Sequence, residues 1–213
     1  IIIKYMLKSK SITFTYDGKN ELVFPDINLK KAESLLVLGN SGVGKTTFIQ
    51  ILAGLLIPKS GEIELNGNGY KNFSIKELDL FRGRQIGMIF QQPYFVQTLT
   101  ILENLLLTLY LSKSNKNEDL AIHILKDIGL FNKIHSYPNE LSQGEQQRAA
   151  IALAVVKKPD LILADEPTSS LDDDNCKKTI KILKEQANLF QSKLIIITHD
   201  SRLKREFKKS ITL

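Results

Sequence analysis

Ser34-Leu35-Leu36-Val37-Leu38-Gly39-Asn40-Ser41-Gly42-Val43-Gly44-Lys45-Thr46-Thr47 is the stretch whose reading decides the fold. Gly39 to Thr46 has the form G-x-x-x-x-G-K-[ST], the phosphate-binding P-loop. The five residues before it read as a buried strand. Thr47 to Leu55 read as a helix, with Phe48, Ile51, Leu52 and Leu55 on one face. A strand, a glycine turn and a helix start are the context the motif requires. Glycines let the backbone wrap closely round a phosphate chain, so that several N–H groups and a helix N-terminus converge on one anion. Lys45 adds positive charge at the β- and γ-phosphates, and the Thr46 hydroxyl is placed to reach Mg²⁺.

Upstream, Ser11 to Tyr16 alternates polar and apolar as a half-buried strand does, and Asp17-Gly18 is a turn. Leu22-Val23-Phe24 and Ile27-Asn28-Leu29 read as further strand, broken at Pro25. Downstream, Ser60-Gly61 turns into the alternating Glu62 to Gly67. These short strands are expected to pair antiparallel and flank the strand that feeds the P-loop. Ile86 to Phe90 is a buried strand ending at Gln91-Gln92-Pro93. Thr100 to Leu111 and Asn117 to Ile128 then carry apolar residues at helical spacing, so about 95–158 is expected to form a mainly helical lobe.

Strand texture returns at Leu161-Ile162-Leu163-Ala164-Asp165, followed by a helix from Asp173 to Phe190 and the apolar run Leu194 to Thr198. Two buried strands separated by a helix imply parallel pairing, and ligands of such sheets sit at the carboxyl ends of the strands. Asp165, Glu166, His199 and the P-loop all fall there. Asp165-Glu166 is either a magnesium and water-activating pair or an acidic turn. Ser142-Gln143-Gly144-Glu145 has the S-x-x-E form of a capping box before an apolar helix, and equally that of a backbone anion site.

Taken in order along nearly the whole chain, these features resemble the nucleotide-binding subunit of ABC transporters. Gly39 to Thr46 resembles the Walker A loop, Gln91 the Q-loop glutamine, and Ser142 to Glu145 the signature motif. Leu161 to Glu166 resembles Walker B with its glutamate, Ser170-Leu171-Asp172 the D-loop, and His199 the H-loop histidine. The signature departs from the usual L-S-G-G-Q at Gln143 and Glu145, while Ser142 and Gly144 are intact. Arg82 to Gln91 and the short C-terminus resemble the ATPases of lipoprotein-releasing, macrolide-exporting and cell-division-linked systems.

The resemblance implies an α/β fold: a P-loop NTPase (RecA-like) core and antiparallel β subdomain over 1–94 and 159–213, with an inserted helical subdomain at about 95–158. It implies ATP and Mg²⁺ as ligands. Tyr16 would stack on adenine, and Gly39 to Thr46 with Thr47 would hold the phosphates. Thr46, Gln91 and Asp165 would serve the metal. Glu166, His199 and Lys45 would be catalytic, and Ser142 and Gly144 would meet the γ-phosphate of a second subunit in a head-to-tail dimer, read as a homodimer. A separate membrane permease, or one fused elsewhere in the chain, would dock near Gln91 to Leu107, with Tyr94, Phe95 and Val96 exposed in the groove. The implied location is peripheral, on the cytoplasmic face of the inner membrane. The alternative is an ABC ATPase acting on DNA or ribosomes.

Composition agrees with one large domain of 213 residues, 43% of them hydrophobic. No apolar run approaches the roughly 18 residues of a membrane span. Ile1-Ile2-Ile3 is followed by Lys4, too short for a signal-peptide core, and Met6 is the expected native start. A single cysteine, Cys176, allows no internal disulfide and reads as an ordinary helix residue. The net charge is +6, densest at Lys204, Arg205, Lys208 and Lys209. This run reads as a solvated surface rather than a specific nucleic-acid site.

Overall fold

The computed structural model describes residues 6–213; the isoleucine run at 1–3 lies outside the described residues. Two sheets and six α-helices make up the described chain. The first sheet is antiparallel. Its long strand β1 (Met6–Phe14) pairs with β2 (Leu22–Val23), β3 (Ile27–Lys30) and β5 (Ser60–Leu65), and β5 pairs with β6 (Asn68–Gly69). The expected antiparallel pairing is present. Ser60 and Gly61, expected to turn, instead lie within β5, where Ser60 pairs with Thr13.

The second sheet is parallel, in the order β10 (Ser210–Thr212), β4 (Ser34–Leu38), β9 (Lys193–Thr198), β8 (Leu161–Asp165) and β7 (Ile86–Ile89). Thus β4 is not flanked by the antiparallel strands within one sheet; it pairs with β9 and β10. Its central strands are nearly continuous Leu, Ile and Val because both faces are covered. Side chains alternate between two cores. Leu35, Val37, Leu161, Leu163, Ile195 and Ile197 point to the core shared with helix α1 (Lys45–Leu52) and the antiparallel sheet. Leu36, Ile162, Ala164, Leu194 and Ile196 point to the other core.

That second core holds four helices: α3 (Ile101–Leu111), α4 (Glu118–Asp127), α5 (Gln143–Val155) and α6 (Asp173–Leu189). Helix α2 (Ile75–Gln85) precedes β7 and was not evident as a helix from hydrophobic spacing; none of its residues is fully buried, and Leu78 and Phe81 pack half-buried against the first core. Side chains cap most helix starts: Ser74 for α2, Thr100 for α3, Asn117 for α4, Ser142 for α5 and Asp172 for α6. Among the described residues α1 is the one α-helix with no side-chain cap, and its first turn has no acidic residue. No helix of the described residues is long and apolar enough to cross a membrane.

Parallel register fixes where the loops emerge. Leu38 lies beside Thr198, Asp165 beside Ile197, and Ile89 beside Ala164. The C-terminal ends of β4, β9, β8 and β7 therefore form one edge, and the P-loop, His199, Asp165-Glu166 and Gln91 all leave from it.

Candidate functional site

The P-loop turns from β4 into α1 through Gly44, whose φ of 98° is a left-handed conformation that suits glycine. With no competing cap, the first N–H groups of α1 and its dipole are available to an anion. Lys45 is buried, at 7% exposure. Its Nζ donates to the carbonyls of Gly39 and Asn40 at 2.8 and 2.9 Å and lies 3.6 Å from Glu166 Oε1. Asn40, Ser41, Gly42 and Val43 stay at the surface of the loop.

Asp165 and Glu166 sit against this loop. The Thr46 hydroxyl faces the Asp165 carboxyl. Burial pushes the Asp165 carboxyl up, and the neighbouring Glu166 adds to the shift; the Thr46 hydroxyl and Lys45 oppose it. Glu166 has a φ of 48°, an uncommon conformation for a residue with a side chain. Both ends of the residue are fixed. Its N–H donates to the Ile197 carbonyl at 2.8 Å. Its Oε2 accepts from the Thr198 hydroxyl at 2.8 Å, and its Oε1 accepts from the His199 N–H at 3.0 Å. The His199 ring reaches the same oxygen through Nδ1 at 2.8 Å. The sequence candidates Lys45, Thr46, Asp165, Glu166 and His199 are thus brought together around one carboxylate pair.

Tyr16 reaches the same loop by a different route from the one expected. It lies two residues beyond the end of β1 rather than in a strand, and it is 71% exposed. Its ring meets Phe14 edge-on at 4.8 Å, and its hydroxyl bonds Thr47 Oγ1 at 2.9 Å. An exposed aromatic face is therefore pinned beside the start of α1. Gln91 is exposed just past β7.

Ser142 and Gly144 stand elsewhere. Their cleft is lined by Arg148, by Ser170 to Asp172, and by Asn175 and Lys178 of α6, with no P-loop residue among them. Glu145 completes the capping box: its Oε2 accepts from the Ser142 N–H at 2.8 Å and from the Ser142 hydroxyl at 2.9 Å. The Ser142 backbone bond first, then the hydroxyl, holds the Glu145 carboxyl below its usual range, with burial opposing them. The unusual residue of the motif is thus locked to its own helix start.

A groove of about 460 Å³ runs between α2, β7 and α5, lined by Leu55, Arg82, Met88, Phe90, Tyr94 and Lys157 among others. Tyr94 and Val96 are exposed as expected, whereas Phe95 packs against the helical core. Phe207, which interrupts the C-terminal basic run, is buried beneath the Lys184 ammonium and offers no stacking platform. Thr198, Asp200 and Arg202 escaped the sequence reading; a hydroxyl ending an apolar strand was the one signal for Thr198.

Comparison with known proteins places this geometry. A protein-family profile described as ABC transporter matches residues 25–169. The chain belongs to the ABC transporter family. The lipoprotein-releasing system ATP-binding protein LolD of Buchnera aphidicola is 39% identical over 95% of the chain and 90% of its own length. LolD of Syntrophus aciditrophicus is 40% identical over 94% and 92%. The dimeric ATP-binding cassette MJ0796, solved in a post-hydrolysis state with ADP and Pi, superimposes with a TM-score of 0.85 and 32% identity, covering 98% of this chain and 94% of that one. This ABC cassette is accordingly an α/β P-loop NTPase and the ATP-binding, ATP-hydrolysing subunit of a transporter. Such relatives do not favour the alternative of an ABC ATPase acting on DNA or ribosomes.

Proposed function

We propose that this cassette powers a lipoprotein-releasing type of transporter, by closing with a second copy around ATP and opening after hydrolysis. The observation that carries the reading is the separation of two candidate phosphate sites on one chain. Lys45, Asp165, Glu166 and His199 converge at the sheet edge, while the Ser142–Gly144 helix start lines a cleft that contains none of them. A head-to-tail pair would bring each helix start to the other chain's phosphate site. Two relatives named as LolD, and a neighbour solved as a dimer, support the same reading.

Within the site, Lys45 would hold the β- and γ-phosphate oxygens, and the open N-terminus of α1 would receive the phosphate chain. Tyr16 offers an exposed ring for adenine. Glu166 would orient the attacking water and take its proton, while His199, bonded to Oε1, keeps the carboxylate turned toward Lys45. The donors suit Mg²⁺: Thr46 Oγ1 and Asp165 supply hard oxygens, and no group of three His, Cys, Asp or Glu makes a closed metal cage among the described residues. Thr46 and Asp165 would hold the ion, with Gln91 as a further oxygen donor; when bound it would neutralise phosphate charge. The helical segment at about 95–158 would be the lobe that moves with the nucleotide state. The groove holding Tyr94 and Leu55 would receive a permease segment, placing the cassette peripherally at the inner face of the membrane.

The test is nucleotide-dependent association. Light scattering of the wild type should give monomer without nucleotide and dimer with ATP when hydrolysis is blocked. Ser142→Arg should bind ATP but not close. Normal hydrolysis by Ser142→Arg would remove the paired-site reading.

A further inference from the structure

Glu166 is held by an arrangement that extends well past the residues that meet nucleotide. Thr198 is fully buried at the end of β9. Its Oγ1 accepts the Asp200 N–H at 3.0 Å, which leaves its proton free to donate to Glu166 Oε2 at 2.8 Å. Asp200 is fixed in turn. Its carboxylate accepts from the Arg202 N–H at 2.9 Å, from Nε at 2.9 Å and from Nη2 at 2.6 Å. These Arg202 bonds hold the Asp200 carboxyl below the usual carboxylate range. The same guanidinium donates through Nη1 to Asp173, in the first turn of α6. Asp172, one residue earlier, caps α6 and lines the signature cleft with Ser142.

We infer that Thr198 is a positioning residue for Glu166, and that the Asp200–Arg202–Asp173 clamp ties its position to the first turn of α6 at the edge of the signature cleft. The inference rests on Glu166 being the group that activates water. The Glu166 backbone already occupies an uncommon conformation, so its carboxylate has few ways to reach both anchors. Losing the Oε2 anchor frees the side-chain torsions. Oε1 keeps the His199 bonds, but the plane of the carboxylate is no longer set. A base that wanders loses rate without losing nucleotide. The clamp also gives one chain a physical link between the cleft expected to meet the partner's nucleotide and its own water-activating group.

Steady-state ATPase rates, nucleotide affinity and melting temperature of Thr198→Val, Thr198→Ser and Arg202→Gln test this on the full chain. Thr198→Val keeps the shape and removes the donor; kcat should fall about tenfold or more, with KM and nucleotide Kd within about twofold. The ATP-bound dimer should accumulate on a sizing column. Thr198→Ser, which restores the hydroxyl, should recover most of the rate. If Thr198→Val does not fold, Thr198→Ala against Thr198→Ser makes the same comparison. A lowered melting temperature with unchanged kcat assigns Thr198 to stability alone and overturns the inference. The double variant Thr198→Val/Arg202→Gln should lose less than the product of the two single losses, because both act on one carboxylate. A loss equal to that product overturns the clamp. Near-normal hydrolysis by Glu166→Gln would instead sink the assignment of Glu166 itself.

Discussion

Glu166→Gln separates chemistry from structure at this site. The two carboxylate oxygens face different donors. Oε1 meets the His199 backbone N–H, which cannot turn away; Oε2 meets the Thr198 hydroxyl, which can rotate. A glutamine should therefore keep its carbonyl at the Oε1 position and direct its amide NH₂ to Thr198 Oγ1. Lys45 retains the Gly39 and Asn40 carbonyls. Folding stability should fall by about 1–3 kcal/mol, since the proton of the buried Thr198 hydroxyl loses its acceptor while the other bonds to the side chain are replaced. What disappears is the carboxylate proposed to accept a proton from water. General-base contributions run to roughly 10²–10⁴-fold, so turnover should fall at least about a hundredfold, or about 2.7 kcal/mol in the barrier. Nucleotide binding should be unchanged or tighter, because a negative charge beside the phosphates is gone. Single-turnover phosphate release, a thermal melt and sizing with ATP against ADP together read this. Hydrolysis within about threefold of wild type would refute the reasoning, since the water would then be activated elsewhere.

Lys45→Ala should weaken ATP binding at least about tenfold, measured by calorimetry, because a buried ammonium leaves the phosphate site. Asp165→Asn should raise the Mg²⁺ concentration needed for half-maximal turnover severalfold while leaving metal-free nucleotide binding near normal, and a metal titration of the rate checks it. Lys157 carries a pH signature. Burial pushes its ammonium down to about 8, from an ordinary 10.5, so the native state binds fewer protons than the unfolded chain between those values. The cost is fully present below about pH 8 and relieved as pH rises toward 10.5, and the gap corresponds to roughly 3 kcal/mol as an upper bound. Lys157→Met loses the bond to the Gly83 carbonyl but should still gain about 1–2 kcal/mol at pH 7, with a flatter stability profile between pH 8 and 10 in urea denaturation. Gly87→Ala should destabilise by about 2–3 kcal/mol in the same assay, because its Cβ would stand 2.4 Å from the Ala154 carbonyl oxygen.

The parts of this molecule that were legible in its sequence are those where local pattern and contact coincide. The P-loop is one contiguous turn, and the strands before Asp165 and His199 are apolar runs buried on both faces, so motif and periodicity suffice. The capping box at Ser142 also speaks locally, whereas the one at Thr100 went unread. Helix α2 was missed although Ser74 and Glu77 form the same box, because its contact with the core is a sparse, half-buried stripe at Leu78 and Phe81. Ser60-Gly61 looked like a turn from composition alone; only the pairing of Ser60 with Thr13, past an irregularity in β1, makes it strand. Strand β10 is three residues long and exists through its ladder with β4, which no local window contains. The site divides in the same way. Lys45, Asp165 and Glu166 announced themselves, whereas Thr198 and Arg202 acquire meaning only from partners 32 and 29 residues away.

Helix α1 is a start that no side chain among the described residues completes. The other α-helices of the described residues begin on a side-chain oxygen from their own sequence, and α1 begins on a bare glycine with no acid in its first turn. Such a terminus leaves backbone donors to whatever anion arrives, so a bound phosphate chain becomes the missing part of the secondary structure. Occupancy then adds to folding stability as the logarithm of ligand concentration, about 2.7 kcal/mol at a hundred times Kd. Nucleotide concentration thereby becomes one of the quantities on which the cassette's folding equilibrium depends.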